Sequence, residues 1–171
     1  MTMNIEVPMG ELMVTKVALA KGGQTTALWP EEVILTTHAV GSCAVIALYD
    51  PKLKIAGMIH AMLPLSVVRI PSSVTEYGST DAKYVDTAID LALEKMRSLG
   101  AQSFDIEAKL VGGANMFGLS SSDIGRENVL SAKKKLKEAG IKLIGESIGG
   151  SVGRSVEFSV ATGIVTVKIA F

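Results

Sequence analysis

Two apolar runs on either side of one turn signal constrain this chain most. The runs AVIALY (44–49) and IAGMI (55–59) read as strands, and Asp50-Pro51 between them reads as the opening of a type I turn. A hairpin follows, and its loop length sets which residues share a face. A two-residue loop pairs Asp50 with Leu53 and puts Cys43 directly opposite His60. A four-residue loop, the more natural host of a type I turn, pairs Asp50 with Ile55 and makes Cys43 and His60 diagonal neighbours, roughly 7–8 Å apart by Cα on one face. A three-residue loop reverses the parity and separates them.

The pairing matters because a thiol with an imidazole in reach is the minimum equipment for nucleophilic catalysis. Taken singly, each residue has a plainer reading: a lone cysteine behaves as a small buried hydrophobe, and a histidine between Ile59 and Ala61 as a hydrogen-bonded core group. Together they are two polar groups facing each other within apolar strands, which calls for a reason. Gly41 and Ser42 precede the cysteine. Gly41 leaves room for a close backbone approach, and the amides here are candidates to hold an oxyanion. Thr36-Thr37 lies within reach to orient the imidazole, and His38 is a competing base.

Composition narrows the classes. The chain has 171 residues, 48% hydrophobic but only 5% aromatic, so an aliphatic and methionine-rich core is expected. This length supports one domain, burying roughly 70% of the surface its unfolded form exposes. Seventeen basic residues balance seventeen acidic ones, which gives no global pull toward nucleic acid or anionic membrane. One cysteine and two histidines make a poor zinc set, so no metal is expected. No stretch reaches the ~18–20 apolar residues of a membrane span, and no leader pattern opens the chain, so a reduced, cytoplasmic location is the default expectation.

Along the chain, residues 1–30 form the least regular part of the domain, punctuated by Gly22-Gly23 and Trp29-Pro30, and residues 31–171 carry the regular pattern. After a polar stretch with Pro64, Pro71 and Ser72-Ser73, Asp81 is a good N-cap for a helix reaching Leu99, with Val85, Ile89, Ala92, Met96 and Leu99 on one stripe. Phe104, Ile106, Ala108 and Leu110 alternate as in a half-buried strand. A second helix runs from Asp123 to Gly140 with Val129, Ala132, Leu136 and Ala139 inward. Residues 141–144 make another strand, and 156–169 a final hairpin. Strands joined in hairpins with two inserted helices suggest mixed α/β layers. The glycine-rich segments 112–115 and 149–154 lack the layout of a dinucleotide or phosphate loop and read as tight turns. Lys133, Lys134, Lys135 and Lys137 read as a solvated helix face.

Taken together, Thr37 followed by GSC at 41–43, LYD at 48–50, GMIHAMLP at 57–64, Lys83-Tyr84 with Asp86 and Ala88, AKLVGGANMF at 108–117, IGREN at 124–128, GGSVGR at 149–154 and TGIVTVK at 162–168 resemble the CheD family of chemoreceptor glutamine deamidases. The resemblance implies a single-domain, three-layer α/β sandwich of mixed and antiparallel strands with flanking helices, similar to the deamidase domain of certain Rho-activating toxins. It implies Cys43 as nucleophile, His60 as general base and Thr37 as third catalytic position, with no cofactor. Implied partners are the cytoplasmic helices of methyl-accepting chemotaxis receptors, as substrate, and the CheC phosphatase. The chain departs from the family's usual residues at His38, where leucine is common, and at Ser147, often acidic. Two other readings share the chemistry or dispense with it: a cysteine peptidase or acyl transferase, and a binding or regulatory partner of CheC with catalysis secondary or lost.

Overall fold

The computed structural model describes residues 1–19, 29–66, 80–118 and 123–169. Gly22-Gly23, Pro71 and Ser72-Ser73 lie outside them. Among the described residues nine strands form two mixed sheets. The first has the order β1-β3-β8-β9, from Thr2–Glu6, Glu32–Val40, Arg154–Ser159 and Val165–Ile169. The second has the order β2-β5-β4-β6-β7, from Leu12–Lys16, Ile55–Ala61, Ala44–Asp50, Glu107–Gly112 and Lys142–Ile148. β1 runs parallel to β3 and β6 parallel to β7; the other pairs are antiparallel.

Side-chain alternation divides the core in two. Ala44, Ile46, Leu48, Ile55 and Ile59 point from the five-stranded sheet toward helices α1 (Val85–Ser98) and α2 (Ile124–Glu138). Val45, Ala47, Tyr49, Ala56 and Met58 point the other way, onto Val33, Leu35, Val156 and Phe158 of the four-stranded sheet. β4 and β5 are buried throughout, which is why both read as continuous apolar runs. Helices, sheet and sheet make the three layers expected.

The hairpin takes the four-residue loop: Asp50 pairs with Ile55 and Val45 with His60. Asp50 shapes the turn, its Oδ1 accepting from the amides of Lys52 and Leu53 at 2.9 and 3.0 Å. Elsewhere three expectations change. The described residues 1–19 hold two strands, β1 and β2, one in each sheet. Asp81 does not cap α1: a 3-10 turn over Thr80–Lys83 comes first, and Tyr84 is the N-cap, without a side-chain cap bond. Phe104 is exposed in a second 3-10 turn, so β6 begins only at Glu107. Asp123 does cap α2, accepting from the Arg126 amide at 3.0 Å.

Among the described residues the chain crosses between the sheets three times at one end of the sandwich, the third time at 149–153 between β7 and β8. Residues 7–11 join β1 to β2, and 41–43 join β3 to β4. The first two of these crossings meet Thr37, Cys43 and His60.

Candidate active site

Thr37 and His60 come from facing sheets. Thr37 follows Val33 and Leu35 on the inner face of β3; His60 follows Ala56 and Met58 on the inner face of β5. Both are 1% exposed. Thr37 Oγ1 lies 2.7 Å from His60 Nδ1 and 2.7 Å from the Val7 carbonyl oxygen. A carbonyl can only accept, so the single hydroxyl proton goes to Val7, and the threonine oxygen accepts from His60 Nδ1–H. That assignment leaves the lone pair on Nε2, which is buried and without a hydrogen-bond partner among the described residues. The imidazole is thus held as the tautomer a general base requires. Burial lowers its pKa to about 4, so it is neutral at pH 7.

Cys43 ends the 41–43 crossing, one residue before β4 and diagonal to His60 in the observed register. Its thiol is buried, and burial raises its pKa, offset in part by its own backbone amide. The thiol donates to Met9 Sδ at 3.6 Å rather than to His60. Thiol and imidazole therefore rest as a neutral pair.

The cysteine segment is clamped through its carbonyls. Gly113 N–H donates to Cys43 O at 2.8 Å and Ala114 N–H to Gly41 O at 2.9 Å. The amides of Gly41, Ser42 and Cys43 enter no backbone hydrogen bond among the described residues. At Gly112, with φ of 111°, a Cβ would lie 2.2 Å from Cys43 O, so no other residue fits. The 149–154 loop braces this arrangement: Gly149 N–H donates to Gly112 O, Asn115 N–H to Gly150 O, and Arg154 Nη2 to Gly149 O at 2.8 Å. The two glycine-rich segments are one latch behind the cysteine.

Sequence reasoning missed Asn128. It is fully buried on α2, and its Nδ2 donates to Ser42 O at 2.9 Å and Met62 O at 3.0 Å. It ties the segment before Cys43 to the segment after His60. The available signal was a polar residue on the same helix face as Gly125, Val129 and Ala132. The room beside Gly41 is taken by Met116, whose Cγ would lie 3.1 Å from a Cβ there.

A family model described as CheD chemotactic sensory transduction matches residues 62–169. The chain is 39% identical over 173 residues to the probable chemoreceptor glutamine deamidase CheD of Pyrococcus abyssi, covering 98% of this chain and 93% of that one. It is 41% identical over 138 residues to the chemoreceptor glutamine deamidase CheD of Halalkalibacterium halodurans, covering 78% and 82%. With the CheD of Thermotoga maritima the identity is 39% over 137 residues, covering 79% and 81%.

The chain belongs to the CheD family.

Within this CheD chain His38 stands apart from the site. A bulge follows Thr37, Ala39 takes φ of 55°, and the exposed His38 ring places Nδ1 3.2 Å from Ser155 Oγ on the outer face of the sheet. Thr36 is also on the outer face. Ser147 lies in β7, opposite Val111, before the brace at Gly149. Among the described residues no three His, Cys, Asp or Glu side chains converge as metal ligands would, and no helix is long and apolar enough to cross a membrane.

Proposed function

We propose that this CheD chain hydrolyses glutamine side chains on methyl-accepting chemotaxis receptors to glutamate, with Cys43 as nucleophile and His60 as base. The observation that carries the mechanism is the Val7–Thr37–His60 chain, which fixes a neutral imidazole with Nε2 free on the face shared with Cys43. The substrate class rests on the names of the relatives, all chemoreceptor glutamine deamidases.

His60 Nε2 takes the thiol proton as Cys43 Sγ attacks the carboxamide carbon, and Nδ1–H stays on the Thr37 oxygen. The developing oxyanion is held by amides of the 41–43 segment, a contribution of roughly 3–4 kcal/mol per donor in comparable sites. The imidazolium returns its proton to the departing nitrogen, releasing ammonia and leaving a thioester. Water, deprotonated by the same Nε2, attacks the thioester carbon; glutamate forms and the thiol is restored. Each turnover consumes one water and places one new negative charge on the receptor, in the cytoplasm where the receptor's signalling helices lie.

Met116 and Phe117 support docking of a helix. Both are exposed, Phe117 at 85%, and Met116 lies against Gly41, so an apolar surface adjoins the nucleophile's segment. A CheC helix shaped like the receptor would occupy the same surface.

The test is intact-mass analysis of a receptor cytoplasmic fragment, with ammonia measured in parallel. A mass gain of about one dalton per site supports the reading. Its absence in wild type, or its persistence in Cys43→Ala, overturns it.

A further inference from the structure

The Cys43 thiol is partnered by Met9 and not by His60. Cys43 Sγ donates to Met9 Sδ at 3.6 Å, whereas His60 Nε2 has no partner among the described residues. Met9 belongs to the 7–11 crossing, and that crossing is fastened to the site at three points. The Val7 carbonyl accepts the Thr37 hydroxyl, Gly10 N–H donates to His60 O at 2.7 Å, and His60 N–H donates to Glu11 O at 3.0 Å. The Met9 backbone is therefore set by the same residues that set the imidazole. Met9 itself is 53% exposed, so solvent lies open beside it.

Attack needs the carboxamide carbon within ~3–3.5 Å of Sγ, close to the distance at which Met9 Sδ now stands. We propose that Met9 is a positioning residue for the nucleophile: its thioether holds the Cys43 proton away from His60 at rest, and an incoming glutamine displaces it. Once Met9 moves, the S–H turns to Nε2; the S–H bond breaks as the Nε2–H bond forms, and Nδ1–H is unchanged. This reading rests on the Cys43–His60 pair proposed above and adds to it a step before attack. Methionine suits the position because its flexible chain gives way easily, and because a thioether is a weak acceptor that releases the proton at little cost.

Met9→Leu keeps the bulk and removes the acceptor at an exposed turn position. The test is the rate of iodoacetamide alkylation of Cys43, followed by intact mass near neutral pH in four proteins: wild type, Met9→Leu, His60→Ala and the double variant. We expect Met9→Leu to react roughly 2–5-fold faster than wild type, the size expected for one weak sulfur hydrogen bond. We expect this gain to vanish in the His60→Ala background, where no base waits for the freed proton. No gain in Met9→Leu overturns the proposal. An equal gain with and without His60 also overturns it, because Met9 would then only shield the sulfur. Alkylation needs no receptor, so a wild type that shows the expected cycle but does not deamidate would overturn the proposed function and leave the role of Met9 standing.

Discussion

The 2.7 Å hydrogen bond between Thr37 Oγ1 and His60 Nδ1 joins two different sheets at the end where the chain crosses between them. It makes the imidazole's orientation a property of sheet packing and not of one strand. Thr37→Val keeps the shape and removes the oxygen, leaving Nδ1–H and the Val7 carbonyl without partners in a buried layer. A lost partner in such a setting costs ~1–3 kcal/mol. We expect a stability loss of that order in urea titration, and a fall in kcat of roughly 10²-fold as the imidazole loses its fixed tautomer. Thr37→Ser keeps the oxygen and should retain most of both. A Thr37→Val protein as active as Thr37→Ser would show that the hydroxyl does not orient the base.

His60, with its pKa lowered to about 4 by burial, binds fewer protons in the folded protein than the ordinary value near 6.5 gives it when unfolded. Its contribution is therefore fully present above about pH 6.5 and is lost as pH falls toward 4. The change is at most roughly 3 kcal/mol. Urea midpoints for wild type and His60→Gln at pH 7 and pH 4.5 isolate it from the carboxylates, which both proteins share. Wild type should lose more stability over that interval than the variant.

For Cys43 the sign is opposite in charge and leads the same way. Burial raises the thiol above its ordinary 9.0, so a neutral-pH thiolate is not expected. Alkylation should climb steadily from pH 7 to 9 without a neutral plateau. His60→Ala should slow it near pH 7 by removing the base. His38→Leu should leave it within a few-fold, because His38 faces outward against Ser155. Equal losses in the two variants would place the base at residue 38.

How much of this was legible follows from what sequence patterns encode. The turn at Asp50-Pro51 limited the hairpin to a few registers, and the four-residue loop it favoured is the one formed; Thr37 was set apart from Thr36 only by the resemblance to the CheD family. The strands at Thr2–Glu6 and Leu12–Lys16 were obscured because they are edge strands, the first largely exposed and the second half-buried throughout, so neither alternates. Tyr84 could not be read as a cap because no side-chain bond marks it. Asn128 and Met9 act through distant partners, Ser42, Met62 and Cys43, and only the packed layers bring those together. Gly112 read as a turn residue; its close approach to the Cys43 carbonyl is a tertiary fact.

That approach gives a sharp contrast between two glycines. Gly112→Ala places a methyl where the Cys43 carbonyl stands, against backbone that cannot yield, and also strains a φ of 111°. Gly118 has a φ of 62° but open space around its Cβ position. Gly118→Ala should cost about 1 kcal/mol in urea titration, and Gly112→Ala distinctly more. Activity should fall further than stability in Gly112→Ala, since the clamp on the Cys43 carbonyl is displaced. Equal losses of stability in the two variants would show that the 112–43 approach is loose.

The last prediction concerns what reaches Cys43. With no net charge to gather a flexible acidic or basic chain, selectivity falls to shape, and Met116 beside Gly41, followed by the exposed Phe117, offers an apolar ledge. A glutamine on a preformed helix meets that ledge without the ordering cost a disordered peptide incurs, commonly ~2–5 kcal/mol. A folded receptor coiled-coil fragment should therefore be deamidated with a kcat/KM roughly 30-fold or more above that of a short peptide carrying the same glutamine. Phe117→Ser should raise KM for the folded fragment and change peptide turnover little. Saturating CheC should suppress the folded substrate if it covers the same ledge. Equal kcat/KM for fragment and peptide would rule out helix recognition, and full turnover at saturating CheC would rule out a shared surface.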